Sequence, residues 1–106
     1  MTLAPDGLGE ARGVTVIYLE GDLDMGAEER VVAEIEAALA GPRRDIVVDL
    51  SAVPFLDSSG VRALLRGREA ARRGGVGLRV RNPRRIVEEV LRITGVALLF
   101  GLPEAR

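Results

Sequence analysis

The chain of 106 residues contains no cysteine, no histidine and no lysine. Without cysteine it can form no disulfide, no thiolate nucleophile and no cysteine-based metal site. Without histidine it lacks the commonest general base and the commonest metal ligand, so a Ser-His-Asp triad cannot be assembled within the chain. The polar chemistry that is left belongs to hydroxyl groups, carboxylates, arginines and one tyrosine.

Long hydrophobic runs are also missing. The longest apolar stretches are far shorter than the ~20 residues that span a bilayer, and residues 1–6 lack the basic segment and apolar core of a secretory signal. We therefore expect a cytoplasmic protein without membrane contact. Hydrophobic residues make up 47% of the chain, which is enough for one domain with its own core.

Charge is balanced overall but not along the chain. The net charge is −1, yet residues 1–57 hold 12 acidic side chains and four arginines, whereas residues 58–106 hold four and 11. A slightly acidic chain with 3% aromatic residues and no recognised motif does not favour direct nucleic-acid binding. All 15 basic residues are arginine, which reflects either a genome rich in G and C or an arginine surface that meets an anionic partner.

Hydrophobic periodicity predicts alternating strands and helices. The predicted strands span residues 3–10, 13–20, 45–50, 76–81 and 96–100. The predicted helices span residues 26–40, 58–73 and 83–95. The order β-β-α-β-α-β-α-β predicts an α/β fold, a single domain over residues 1–106, with a mixed sheet of four to five strands and three to four helices packed on it.

The most informative segment is Val53–Gly60 (VPFLDSSG), which links a predicted buried strand to a predicted amphipathic helix. Asp57 or Ser58 can cap that helix by accepting a hydrogen bond from a free backbone N–H. Alternatively, an exposed serine at this place can carry a phosphate, which a helix N-terminus tolerates well. Gly60 is unusual in a helix, where glycine costs roughly 1 kcal/mol, and it would let another molecule approach the backbone.

The segment at residues 49–61 (DLSAVPFLDSSGV) resembles the signature of STAS domains, in particular of the bacterial anti-sigma-factor antagonists. The segments GDLD at 21–24, RGGVGL at 73–78 and VLRITGV at 90–96 are similar to further parts of that family. The resemblance covers about residues 8–101 and implies the STAS fold.

The resemblance also implies a mechanism. In such antagonists the first serine of the motif is phosphorylated by the anti-sigma factor, which is itself a kinase. The unmodified antagonist binds that kinase and frees the sigma factor, and a separate serine phosphatase resets the phosphorylated form. Carried over to this chain, the acceptor is Ser58 rather than Ser59, and Asp24 matches the family's aspartate near the acceptor. A regulator of this kind is not an enzyme and needs no cofactor.

A set of polar residues around the motif is expected to contact the partner. Its members are Asp22, Asp24, Asp57, Ser58, Ser59, Gly60 and Arg62. The three carboxylates could instead hold Mg²⁺, but turn and capping roles explain them more simply, and we expect no metal site and no catalytic residue. Arg62 shares one helical face with Arg66 and Arg73, which reads either as a solvated face or as a partner contact.

Two other functions are compatible with the sequence. One is a constitutive STAS adaptor subunit of a larger assembly, such as a lipid-transport ABC system, with no phosphate cycle. The other is a nucleotide-binding module, which would rest only on carboxylates near a helix N-terminus. The intact Asp57-Ser58-Ser59-Gly60 motif favours the phosphorylatable regulator, because an adaptor has no need of an acceptor serine.

Overall fold

The computed structural model describes residues 13–103, which alternate between strands and helices. Strands β1, β2 and β3 span Val14–Glu20, Asp45–Ala52 and Leu78–Arg81. Helices α1, α2 and α3 span Glu28–Leu39, Ser58–Arg73 and Arg85–Ile93. Two short 3-10 helices complete the fold, at Met25–Ala27 before α1 and at Ala97–Phe100 after α3.

The three strands form a parallel sheet with β2 in the middle. Because a central parallel strand is covered on both faces, its sequence should be continuously apolar, and residues 46–50 of β2 are all buried. Helices α1 and α2 pack closely at Gly67, where an added Cβ would lie 2.1 Å from Ile35 Cδ1. None of the helices within residues 13–103 has the length and apolar character to cross a membrane.

The strand predicted at residues 96–100 is wrong, because that segment forms a 3-10 helix. Val96, Ala97 and Phe100 are buried while Leu98 and Leu99 are exposed, a helical spacing rather than the alternation of a strand. The weak edge strand predicted at residues 3–10 lies outside the described residues. Residues 13–103 thus form three parallel strands, and the mixed sheet of four to five strands is not found in this part of the chain.

Three predicted boundaries also shift by two residues. The helix expected from residue 26 starts with the 3-10 turn and becomes α-helical at Glu28. The strand expected from residue 76 starts at Leu78, because the Gly77 N–H donates to the Asp45 side chain at 2.8 Å instead of to the ladder. The helix expected from residue 83 starts at Arg85, after an extended Arg84.

A buried carboxylate joins β2 to β3. Among residues 13–103, Asp49 is the one polar or charged side chain that is buried, with 3% of its surface exposed. Its Oδ1 accepts hydrogen bonds from the backbone N–H and hydroxyl of Ser51 at 2.9 and 2.6 Å. Its Oδ2 accepts from Arg81 Nε at 2.9 Å and from Asn82 Nδ2 at 3.1 Å. Asn82 has φ of 56°, a left-handed conformation that asparagine tolerates better than most residues.

This carboxylate should make the fold sensitive to acid. Burial raises the pKa of Asp49, but hydrogen bonds from Ser51, Arg81 and Asn82 outweigh burial and hold the pKa at about 2, below the ordinary 3.8. Because the folded pKa is the lower one, the stabilisation is complete above about pH 4 and is lost as the pH falls from about 4 to 2. Arg81 keeps a third of its side chain in solvent, so we expect a contribution of about 1 to 2 kcal/mol.

Urea unfolding of the wild type and Asp49→Asn, followed by circular dichroism at pH 6 and pH 2, measures this contribution. The difference in free energy of unfolding should be large at pH 6 and should shrink at pH 2. An equal difference in free energy of unfolding at both pH values would show that the ionised Asp49 carboxylate is not what stabilises the contact between β2 and β3.

Candidate functional site

Two loops meet side by side where β1 and β2 end. The backbone N–H of Leu23 donates to the Phe55 carbonyl at 2.9 Å, and the N–H of Asp57 donates to the Leu23 carbonyl at 3.3 Å. Leu23 and Leu56 form an isolated parallel bridge, and both side chains are buried. The loops therefore extend the parallel pairing of β1 and β2 by one bridge. The residue after each leucine is the N-cap of the helical segment that follows.

Asp24 and Asp57 are both N-caps, because the side chain of each accepts a hydrogen bond from the backbone of the helical segment that follows. Their backbones have nearly identical φ and ψ, −115° and −163° for Asp24 and −116° and −166° for Asp57. Asp24 Oδ1 accepts from the Gly26 N–H at 3.1 Å, and Asp57 Oδ1 accepts from the N–H groups of Ser59 and Gly60 at 2.9 and 3.2 Å. From the sequence, either Asp57 or Ser58 could be the N-cap of α2. In the structure the N-cap is Asp57.

This assignment leaves the Ser58 hydroxyl without a capping role. Ser58 is the first residue of α2 and is exposed, whereas Ser59 is half-buried. Within residues 13–103, no hydrogen bond joins the Ser58 side chain to another residue. Of the two serine hydroxyls in the motif, that of Ser58 is thus the one more open to a visiting enzyme.

Packing within the chain explains why position 60 is a glycine. It is buried, and a Cβ at this position would lie 2.2 Å from the Leu23 carbonyl oxygen and 2.9 Å from Leu23 Cβ. The sequence suggested that the glycine admits another molecule, but the backbone that approaches it is that of the loop after β1. Gly60 therefore brings the start of α2 against that loop and fixes where Ser58 lies.

Arg62 and Arg66 project from α2 toward α1. Arg66 Nη1 lies 2.7 Å from Glu28 Oε2, and Arg62 Nε lies 3.4 Å from Glu28 Oε1. The hydrogen bond from Arg66, followed by the charges of both arginines, lowers the pKa of Glu28 against a smaller opposing effect of burial. The third arginine of the predicted face, Arg73, pairs with Glu69 of its own helix instead.

The acidic residues predicted for the site lie on the two adjoining loops. Asp22 and Asp24 are exposed on the loop after β1, and Asp57 is half-buried on the loop after β2. In the part of the chain that the structure describes, no cluster of acidic side chains could hold a metal ion. The three aspartates, Asp22, Asp24 and Asp57, form a negatively charged surface with Ser58 and Ser59 at one end of the sheet. Arg62 lies one helical turn after Ser58.

Two apolar side chains on the same loops were not selected from the sequence. Met25 is 74% exposed in the 3-10 turn that follows Asp24, and Phe55 is 44% exposed two residues before Asp57. Each is an apolar residue within two positions of a capping aspartate, and this sequence pattern could have identified Met25 and Phe55. Their exposure gives the charged surface an apolar component.

Comparison with known proteins gives one family. A family model described as STAS domain matches residues 8–104. No curated protein sequence gives a significant match.

Solved structures with the same fold include one protein in two states. The anti-sigma factor antagonist SpoIIAA in its unphosphorylated form is 26% identical, with a TM-score of 0.67, over 90% of this chain and 82% of that one. The Bacillus cell fate determinant SpoIIAA in the phosphorylated form is 26% identical, with a TM-score of 0.61, over 90% and 85%. A sulfate transporter family protein from Wolinella succinogenes is 19% identical, with a TM-score of 0.71, over 94% and 76%. At that identity the last similarity shows the fold alone.

Proposed function

The chain belongs to the STAS domain family, and we propose that it is an anti-sigma-factor antagonist that works by partner switching. In its unmodified form it binds an anti-sigma factor that is also a serine kinase. The kinase transfers the γ-phosphoryl group of ATP to Ser58 Oγ, with ADP leaving and the hydroxyl proton passing to a base of the kinase. The phosphorylated chain is released, and a serine phosphatase hydrolyses the phosphate to restore the first state. Transcription that depends on the sigma factor is regulated in this way.

The observation that carries the proposal is the exposed Ser58 hydroxyl. Asp57 caps α2 in its place, so modification of Ser58 removes no hydrogen bond that holds the described fold. The similarity to an anti-sigma factor antagonist solved in unphosphorylated and phosphorylated forms supports the same function.

Charge explains why a phosphate would release the partner. It adds about −1.5 to −2 charges and three acceptor oxygens to a surface that already carries Asp22, Asp24 and Asp57. A helix N-terminus accommodates an anion without unfolding, so the change is confined to the surface. A partner that fits the unmodified surface must then desolvate a doubly charged group beside the carboxylates, which disfavours the complex.

The contact surface follows from the same placement. We assign to it the six side chains that share this end of the sheet, and Gly60 is included for positioning them. The six residues are Asp22, Asp24, Asp57, Ser58, Ser59 and Arg62. We further propose that residues 1–106 form one domain that acts in the cytoplasm by protein binding alone, without catalysis, a cofactor or direct contact with nucleic acid.

Incubation with ATP and candidate anti-sigma kinases, followed by intact-mass measurement, tests the assignment of the acceptor. We expect the addition of one phosphate to the wild type and to Ser59→Ala, and none to Ser58→Ala. Since both serines lie outside the core, neither substitution should disturb folding. Modification that survives in Ser58→Ala and is lost in Ser59→Ala would move the acceptor to Ser59. Failure of every such kinase to bind or modify the chain would favour the constitutive adaptor.

A further inference from the structure

We propose that Arg62 is the intramolecular partner of the phosphate on Ser58, and that phosphorylation moves its guanidinium from Glu28 to the phosphate. The proposal rests on the proposed function, because it concerns the modified serine. It assigns to Arg62 a role in the phosphorylated state that is separate from contact with a partner protein.

The geometry of α2 places the two residues together. Ser58 and Arg62 are one turn apart in a helix that is continuous from Ser58 to Arg73. Side chains at i and i+4 are neighbours on a helix, with Cβ atoms roughly 5–6 Å apart. Helical side chains lean toward the N-terminus, so the long Arg62 side chain reaches over the turn that carries Ser58. An anion that precedes a cation by four residues is also the more favourable order.

Arg62 can leave Glu28 at little cost. Its contact with Glu28 is the longer one, 3.4 Å, and 58% of the Arg62 side chain is exposed. Arg66 holds the other oxygen of Glu28 at 2.7 Å, so Glu28 keeps a cation when Arg62 moves. Exposed ion pairs of this kind contribute little to stability, whereas a phosphate offers a guanidinium two parallel charge-assisted hydrogen bonds.

The other groups around Ser58 do not serve the phosphate as well. The N–H groups of Ser59 and Gly60 already donate to the Asp57 carboxylate. On α2 the next cation after Arg62 is Arg66, two turns from Ser58 and bonded to Glu28. The acidic groups on the neighbouring elements would repel the phosphate, and they are Asp22, Asp24 and Asp57 on the loops and Glu28 and Glu29 on α1. Two arginines of neighbouring elements, Arg30 and Arg84, donate to the backbone carbonyls of Glu20 and Ser51 at 3.2 and 2.9 Å.

Phosphorylation would alter two groups of the proposed contact surface at once, because Ser58 gains the phosphate and Arg62 turns to it. Any acidic group of the partner that pairs with Arg62 in the unmodified complex would lose that cation.

The test uses the 106-residue chain with phosphoserine inserted at position 58 by genetic encoding, so that no kinase is required. The titration of the phosphate is followed by phosphorus NMR in the wild type, Arg62→Ala and Arg73→Ala. Pairing with Arg62 favours the dianion of the phosphate, so the titration midpoint should be higher by about half a pH unit in Arg62→Ala. Arg73→Ala removes the same charge from the same helix but leaves Glu28 and its two arginines unchanged, so it should titrate close to the wild type.

A second readout separates a direct contact from a general effect of charge. In the wild type the Arg62 Nε–H signal should move on phosphorylation while the Arg66 signal stays. Superimposable titrations of the wild type and Arg62→Ala, or an equal change in Arg73→Ala, would overturn the proposal. Because the phosphoserine is genetically encoded, either result is independent of whether a kinase modifies Ser58 in the cell.

Discussion

Phosphorylation of Ser58 is expected to weaken binding to the anti-sigma factor about a thousandfold. Two unit charges 4 Å apart at an effective dielectric constant of 20 repel by about 4 kcal/mol, and each ~1.4 kcal/mol is a factor of ten in affinity. The new charge lies beside Asp57 and the loop that carries Asp22 and Asp24. Water screens the repulsion in the free chain, whereas a bound partner displaces that water, and Arg62 offsets only part of the added charge of about −1.5 to −2. Calorimetric titration of the kinase with unmodified and phosphoserine-58 chain measures the change.

A phosphoserine at position 59 is the matched control, because it adds the same charge to a half-buried neighbour. The Ser58→Ala variant should fold as the wild type does, since the hydroxyl makes no hydrogen bond within residues 13–103. Circular dichroism of the phosphorylated chain should match that of the unmodified chain, which places the effect at the surface. Equal affinities of the modified and unmodified chains would refute the electrostatic block.

Replacement of Gly60 by alanine is expected to destabilise the fold by about 3 kcal/mol or more. The new methyl group would lie 2.2 Å from the Leu23 carbonyl oxygen, and that oxygen is held by the Asp57 N–H. Overpacking against a fixed backbone costs ~1–3 kcal/mol and occasionally more. Helix propensity predicts the opposite sign, because alanine is favoured over glycine by about 1 kcal/mol in a helix. Thermal and urea unfolding measure the difference.

Gly26→Ala supplies the comparison on the adjoining loop. The nearest atom to its added Cβ is Asp24 Oδ1 at 3.6 Å, an ordinary contact. We expect this variant to unfold within about 1 kcal/mol of the wild type. If Gly60→Ala were equally stable, the close approach of α2 to Leu23 would not be what requires the glycine.

Secondary-structure elements that are determined by residues close together in the sequence could be predicted. Helix α2 has a polar N-terminus, a clear apolar stripe and a glycine after Arg73, and its bounds at residues 58–73 are confirmed. The choice between Asp57 and Ser58 as cap could not be made in the same way. Both residue types are favoured N-caps, and the extended backbone of Asp57 that decides between them is set by pairing with Leu23.

Features that depend on distant residues could not be predicted. Asp49 looks like an interruption of an apolar strand, and its partners Arg81 and Asn82 lie more than 30 residues away in the sequence. The tight contact of Gly60 with Leu23 joins the start of α2 to a loop that is far away along the chain. The run at residues 96–100 is short and apolar, so its pattern fits a strand or a buried helical turn equally well, and packing of Phe100 into the core selects the turn.

In the proposed function, the state of one exposed hydroxyl, that of Ser58, decides whether the chain binds the anti-sigma factor. This is measured by quantitative mass spectrometry of the proteins retained from the source cell by unmodified and by phosphoserine-58 chain. We expect the unmodified chain to retain an anti-sigma factor with a kinase domain and the phosphorylated chain not to retain it. Retention of that protein to the same extent by both forms would contradict it.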